Sequence, residues 1–113
     1  MWRIDYYTEP NDRQPVAEWL DSLDRNTKAV IMDKVGQLEE HGLTLLRTNM
    51  MKRIQNKDKD FYELIGGRCR IALYHETVRN SFILLHGFIK KRRRETREIN
   101  IARARLHEYQ LRR

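Results

Sequence analysis

FYELIGGRCRIALYHE (61–76), followed four residues later by SFILLHGFI (81–89), decides the fold. Two strand-like runs separated by Gly66 and Gly67 read as a β-hairpin, because a glycine pair readily supplies the positive φ of a primed two-residue turn. Period-two alternation puts Phe61, Glu63 and Ile65 on one face and Tyr62 and Leu64 on the other. In the following strand Cys69, Ile71 and Leu73 form the apolar side, and Arg68, Arg70, Ala72 and Tyr74 line the opposite one. Residues 77–80 turn the chain again, and the almost continuous apolar character of 81–89 predicts a central strand.

Outward from this core the pattern changes period. WRIDYY (2–7) alternates like a first strand, with Trp2, Ile4 and Tyr6 on one side. Residues 9–13 make a turn, and Pro15 stands where a first helical residue is favoured because its missing N–H would have no partner anyway. Val16, Trp19, Leu20 and Leu23 follow at helical spacing. Residues 24–27 offer capping side chains, after which Val30, Ile31, Val35 and Leu38 predict a second helix ending near Gly42 and an αα-hairpin. Residues 43–49 read as a loop, 50–54 as a short strand and 55–60 as a polar turn. Ile99, Ala102, Leu106 and Tyr109 line one face of a basic helix over 96–109. The expected architecture is α+β in a single domain over 1–113. An N-terminal strand and an α-helical hairpin pack on a small, twisted, mainly antiparallel sheet, with a basic C-terminal helix.

The charge is polarised. Residues 1–85 carry 13 Lys/Arg against 13 Asp/Glu, whereas residues 86–113 carry ten basic residues against three acidic ones, the whole of the net +7. Such a distribution suits a polyanionic partner better than general solubility; the plainer reading is a solvated basic helix. The single cysteine, Cys69, cannot form an internal disulfide and fits a buried, inert thiol in a reducing cytoplasm. The opening MWRIDYYTEP lacks the order of a signal peptide, and no apolar run approaches the roughly 20 residues of a membrane span. No His/Cys or carboxylate cluster has metal-ligand spacing, so no cofactor is expected.

YEL (62–64), GGRCRIALY (66–74) and LLHGFIKK (84–91), with PVAEWLDSL (15–23), LEEHG (38–42) and EINIARARL (98–106) around them, resemble the RelE/ParE superfamily, in particular its phage-derived HigB-like branch. The chain departs from the branch at Ile65 and Cys69, and in KKRRRETRE (90–98) at the entry to the last helix. The resemblance implies a RelE-like fold and a ribosome-dependent endoribonuclease toxin. It also implies a cognate antitoxin, often one with a helix-turn-helix domain, and no membrane partner.

Metal-independent RNA cleavage needs a base for the 2′-hydroxyl, cations for the phosphorane, a proton donor for the departing 5′-oxygen and a hold on the base. The resemblance assigns Arg70, in the position of the family's third-strand arginine, as a bidentate clamp on the scissile phosphate; the plain alternative is an ion pair with Glu63 or Asp60. Lys90 and Lys91 stand where family members reach the phosphate with a basic side chain. They alternate to opposite faces, and the sequence does not choose between them. Glu63 and His86 are the acid–base candidates, His86 being as consistent with a hydrogen-bonded structural histidine. Lys52, Arg53, Arg68, Arg92, Arg93 and Arg94 fit backbone contacts to messenger and ribosomal RNA, which confer affinity without sequence choice. Tyr74 or Phe88 could stack on a base, with core packing the better role for Phe88. Two other functions remain open from sequence: a ParE-like gyrase-inhibiting toxin, and a non-catalytic nucleic-acid-binding module.

Overall fold

The alternation in the central hairpin sorts side chains onto the two faces of a five-stranded sheet. In the computed structural model, which describes residues 1–54 and 57–112, the strands are β1 (Arg3–Tyr6), β2 (Met51–Arg53), β3 (Phe61–Gly66), β4 (Cys69–Glu76) and β5 (Ser81–Ile89). Their spatial order is β1-β5-β4-β3-β2. β1 runs parallel to β5 and every other pairing is antiparallel. Gln55 and Asn56, which open the expected polar turn, and the terminal Arg113 lie outside the described residues.

On one face Tyr62, Leu64, Cys69, Ile71, Leu73, Phe82 and Leu84 pack beneath helices α1 (Pro15–Ser22) and α2 (Arg25–His41), through Val16, Leu20, Ile31, Val35 and Leu38. On the other, Phe61, Ala72, Tyr74, Ile83 and Leu85 meet Ala102 and Leu106 of α3 (Thr96–Arg112). Both faces of β4 and β5 are therefore covered, which is why their sequences read as nearly unbroken apolar runs. Pro15 is the first residue of α1, and the Asp24 carboxylate caps α2 by accepting from the Thr27 N–H at 2.8 Å.

Three details differ from the sequence reading. Gly66 pairs with Cys69, so the two-residue turn is Gly67-Arg68 rather than Gly66-Gly67. Gly67, at φ +61°, supplies the one positive φ at the first central position, the pattern of a type II′ turn. Gly66 instead lets α2 approach: a Cβ there would stand 3.0 Å from Ile31 Cδ1 and 3.1 Å from Ile31 Cα. Residues expected as a loop form a 3-10 helix over Gly42–Arg47, which tucks Leu45 into the core.

The third difference is a bulge. Ala72 pairs with His86 and Leu73 with Leu84, leaving Leu85 as an extra residue in β5. Leu85 packs toward α3, and so does the side chain of His86, which bonds to Glu98 and Arg105. From that point the alternation of β5 is inverted: Gly87 falls on the α1 side, where Trp19 lies flat against it, and Phe88 falls opposite Arg70. Bulges characteristically re-aim side chains in this way.

Candidate functional site

Pairing across the sheet places Lys52, Glu63, Ala72 and His86 in one row over four strands, and Ile65, Arg70 and Phe88 in the next. α3 covers the far half of this face, so the row containing Arg70 lies toward the open end, beside the Gly67-Arg68 turn. Small, fully buried Ala72 separates Glu63 from His86, which stand two strands and about 10 Å apart.

Arg70 and Glu63 form a mostly buried ion pair. Arg70 Nε lies 3.2 Å from Glu63 Oε1, with side chains 13% and 9% exposed. The Nε–H is not aimed along that line and makes no directed hydrogen bond. Arg70 Nη1 donates to the carbonyl oxygens of Gly67 at 2.6 Å and Cys69 at 2.9 Å, which ties the guanidinium to the hairpin turn. Nη2 makes no hydrogen bond among the described residues. Nε therefore faces Glu63 and Nη1 the turn carbonyls. Lys52 Nζ reaches the same Glu63 oxygen at 3.7 Å from an exposed position, leaving the carboxylate between two cations.

Lys90 continues β5 by one step: its N–H donates to the Arg68 carbonyl at 2.8 Å, and alternation from Phe88 carries its side chain to Arg70's face. Lys91 begins the loop to α3. An open cleft of about 340 Å³ at this corner is lined by Arg68, Arg70, Lys90, Lys91, Arg92 and Arg93. Both lysines therefore border the same cleft as Arg70, and four of the six residues expected to touch RNA backbone are with them or, for Arg94, directly adjacent. Lys52 joins them through Glu63. Arg53 does not: it pairs with Tyr62, on the α1–α2 face, and its guanidinium lies over the Tyr62 ring at 5.5 Å.

The loop of residues 90–94 is gathered around a carboxylate that sequence reasoning missed. Glu95 Oε1 accepts hydrogen bonds from the N–H groups of Lys91 and Arg92, each at 2.6 Å, and these two bonds hold the Glu95 carboxyl below its ordinary range. The signal was an acidic residue just ahead of a helical pattern, but its partners lie upstream of the helix.

His86 has both ring nitrogens engaged. Arg105 Nη1 lies 3.0 Å from Nδ1 and also donates to the Leu85 carbonyl at 2.9 Å; Nε2 lies 2.8 Å from Glu98 Oε1. An arginine can only donate, so Nδ1 accepts and the proton sits on Nε2, directed at Glu98. Burial pushes the His86 pKa below its usual value of 6.5, against the opposing pull of Glu98. Its ring also stacks on Phe88, centroids 5.7 Å apart. This geometry serves to join β5 to α3 and offers substrate no free ring nitrogen. Phe88 and Tyr74 are likewise core side chains, 5% and 7% exposed. Glu98 and Arg105 were not singled out from sequence, since helical periodicity shows which side they lie on but not the histidine they meet.

Among the described residues no group of three or more His, Cys, Asp or Glu side chains is arranged to hold a metal, and no helix is long and apolar enough to cross a membrane. No curated protein matches the chain. A family model described as phage derived protein Gp49-like (DUF891) matches residues 18–107, from within α1 to within α3, and so includes every strand but β1 and all of the residues around the basic cleft. The chain belongs to the phage-derived Gp49-like family.

Proposed function

We propose that this protein is the toxin of a RelE/HigB-type toxin–antitoxin pair, an endoribonuclease that cuts messenger RNA on the ribosome without a metal ion. The observation that carries the reading is the corner where Arg70, backed by Glu63, faces a cleft lined wholly by cations. A binding surface alone needs no mostly buried guanidinium held by a carboxylate and two carbonyls. A site for a pentacovalent phosphorane needs a cation of fixed position.

In the proposed reaction the 2′-oxygen attacks the adjacent phosphorus, the bond to the 5′-oxygen breaks, and the products are a 2′,3′-cyclic phosphate and a free 5′-hydroxyl. Arg70 Nη2 and the Lys90 ammonium stabilise the added negative charge; a well-placed donor of this kind is worth roughly 3–4 kcal/mol. Glu63 takes the 2′-hydroxyl proton, because both nitrogens of His86 are already bonded. Lys52 is 57% exposed, and its transfer from Glu63 to an RNA phosphate uncovers that carboxylate. Lys91 delivers a proton to the departing 5′-oxygen. Arg68, Arg92, Arg93 and Arg94 hold the backbone, and a cognate antitoxin, of the kind that carries a helix-turn-helix domain, silences the toxin in the cytoplasm.

Primer extension on transcripts after induction tests this reading. Cuts in phase with codons are expected. Intact messenger RNA accompanied by DNA damage would instead establish a gyrase inhibitor, and intact messenger RNA and DNA with retained RNA binding would establish a non-catalytic module.

A further inference from the structure

Beyond the cleft at Arg70, the loop of residues 90–94 has a second concave side. It is a hollow of about 610 Å³ bordered by Lys91, Arg92, Arg94 and Arg97, with Glu95 and Glu98 at its edge. Two features of this loop converge. The consecutive N–H groups of Lys91 and Arg92 point at one oxygen of Glu95, at 2.6 Å each, and paired backbone donors of this kind form an anion-binding concavity. Around them stands the densest run of cations in the sequence, KKRRR at residues 90–94, with Arg97 on the first turn of α3. The Glu95 carboxylate set among these cations occupies the place, and makes the contacts, that a phosphate oxygen would, whereas Glu98 is turned to His86 at 2.8 Å.

We infer that this loop is a second phosphate-binding subsite, which takes a phosphodiester of the same RNA strand, and that Glu95 fills it in the free protein. The two hollows share Lys91 and Arg92, so a strand crossing the loop places one phosphate at Arg70 and a neighbouring one on the two N–H groups. Glu95 then turns out to solvent. It is partly exposed, and the two N–H groups it gives up remain bonded to the phosphate. The carboxylate thereby weakens binding of stray anions, while a polyanion that engages the whole corner displaces it. This deepens the RNA reading of the Arg70 cleft and rests on it for the identity of the polyanion. The anion site itself stands on the loop geometry.

Amide NMR of the purified chain tests the site with inorganic phosphate alone. In Glu95→Ala the Lys91 and Arg92 amides are expected to shift saturably, at a phosphate concentration at least tenfold below that needed in the wild type. Should the alanine variant fail to fold, Glu95→Gln carries the same comparison, since a neutral amide oxygen holds the two N–H groups less strongly than a carboxylate does. Equal titrations of wild type and variant, or shifts elsewhere that spare these two amides, would overturn the inference. A second arm uses a short 2′-O-methyl oligoribonucleotide, which cannot be cleaved through its 2′-oxygen. Freeing the site removes the displacement of Glu95 from the equilibrium, so the oligonucleotide should bind Glu95→Ala about tenfold more tightly than the wild type. Amide shifts with inorganic phosphate but equal oligonucleotide affinity in the two proteins would make this a site for free anions and refute the RNA subsite. Neither arm depends on cleavage, so a protein that binds in both yet cuts nothing contradicts the nuclease reading and leaves the subsite standing.

Discussion

Replacing Glu63 with Gln removes the charge that faces Arg70 while keeping the side chain's size. The Arg70 side chain is 13% exposed, and its Nε lies against Glu63 at 3.2 Å. Removing one partner of a fully buried ion pair costs about 3–5 kcal/mol. Two features of this site lower that figure. Arg70 Nη1 keeps both turn carbonyls, and the repulsion of Lys52 is relieved by its exposure, since its side chain can swing into water. The expected loss is therefore about 2 kcal/mol. With a urea m-value of about 1.5 kcal/mol/M for a chain of this size, the unfolding midpoint moves down by roughly 1.3 M. Arg70→Met should cost more, about 3 kcal/mol, because it leaves a carboxylate buried with only the more distant Lys52. The double variant should lose less than the sum, with a coupling of at least about 1 kcal/mol. Equilibrium urea unfolding followed by circular dichroism measures all four proteins. A Glu63→Gln midpoint within about 0.3 M of wild type, together with coupling below about 0.5 kcal/mol, would refute the claim that Glu63 fixes Arg70.

Gly87→Ala is expected to destabilise by about 2 kcal/mol or more, since a Cβ there would stand 2.1 Å from Trp19 Cε3. Urea unfolding monitored by tryptophan fluorescence checks it, and an unchanged midpoint would mean that Trp19 does not lie on β5. His86, with its pKa depressed by burial, should contribute stability in full above pH 6.5 and lose it as pH falls through its lower folded value. An NMR titration of its ring should give a midpoint below 6.5, and a midpoint above that value would contradict the Arg105-bonded, neutral ring. Tyr7 is pushed up to about 12 by burial and by donating to Glu108 at 2.7 Å. Its contribution is therefore complete below pH 10 and is lost as pH rises toward 12, and Tyr7→Phe should cost about 1 kcal/mol in thermal or urea unfolding. A phenol titrating near 10 in the folded protein would remove the Glu108 bond from the account.

What could be read in the sequence follows from the range of each signal. Alternation within residues 61–76 sorts side chains correctly because both β3 and β4 are regular, so Glu63 and Arg70 share a face as expected. In β5 the apolar run SFILLHGFI presents no alternation to interrupt, and the bulge at Leu85 leaves no mark on it. The choice of which residues beyond it join Arg70 is therefore invisible until the strand is paired. The turn slipped by one residue for a related reason. Either glycine can adopt positive φ, and only the close approach of Ile31 to Gly66 assigns that role to Gly67. The basic cluster was legible as composition, yet the carboxylate organising it was not. A bond from Glu95 back to the N–H groups of Lys91 and Arg92 depends on the path of the loop. Similarly, His86 was ambiguous in sequence because Glu98 and Arg105 meet it only once α3 has docked.

The central claim, that Arg70 and Lys90 act on a phosphate in the corner cleft, is tested most directly by separating ribosome binding from cleavage. Arg70→Lys retains a cation for Glu63 but loses the planar guanidinium, and Lys90→Ala removes a side chain that no core packing depends on. With folding verified by circular dichroism, each variant should still co-sediment with ribosomes. Codon-phased cleavage in a purified translation reaction should fall by about 100-fold or more, the effect of losing one well-placed charge-stabilising donor. Cleavage within a few-fold of wild type in both variants, at unchanged ribosome occupancy, would contradict the account and remove these residues from the chemistry.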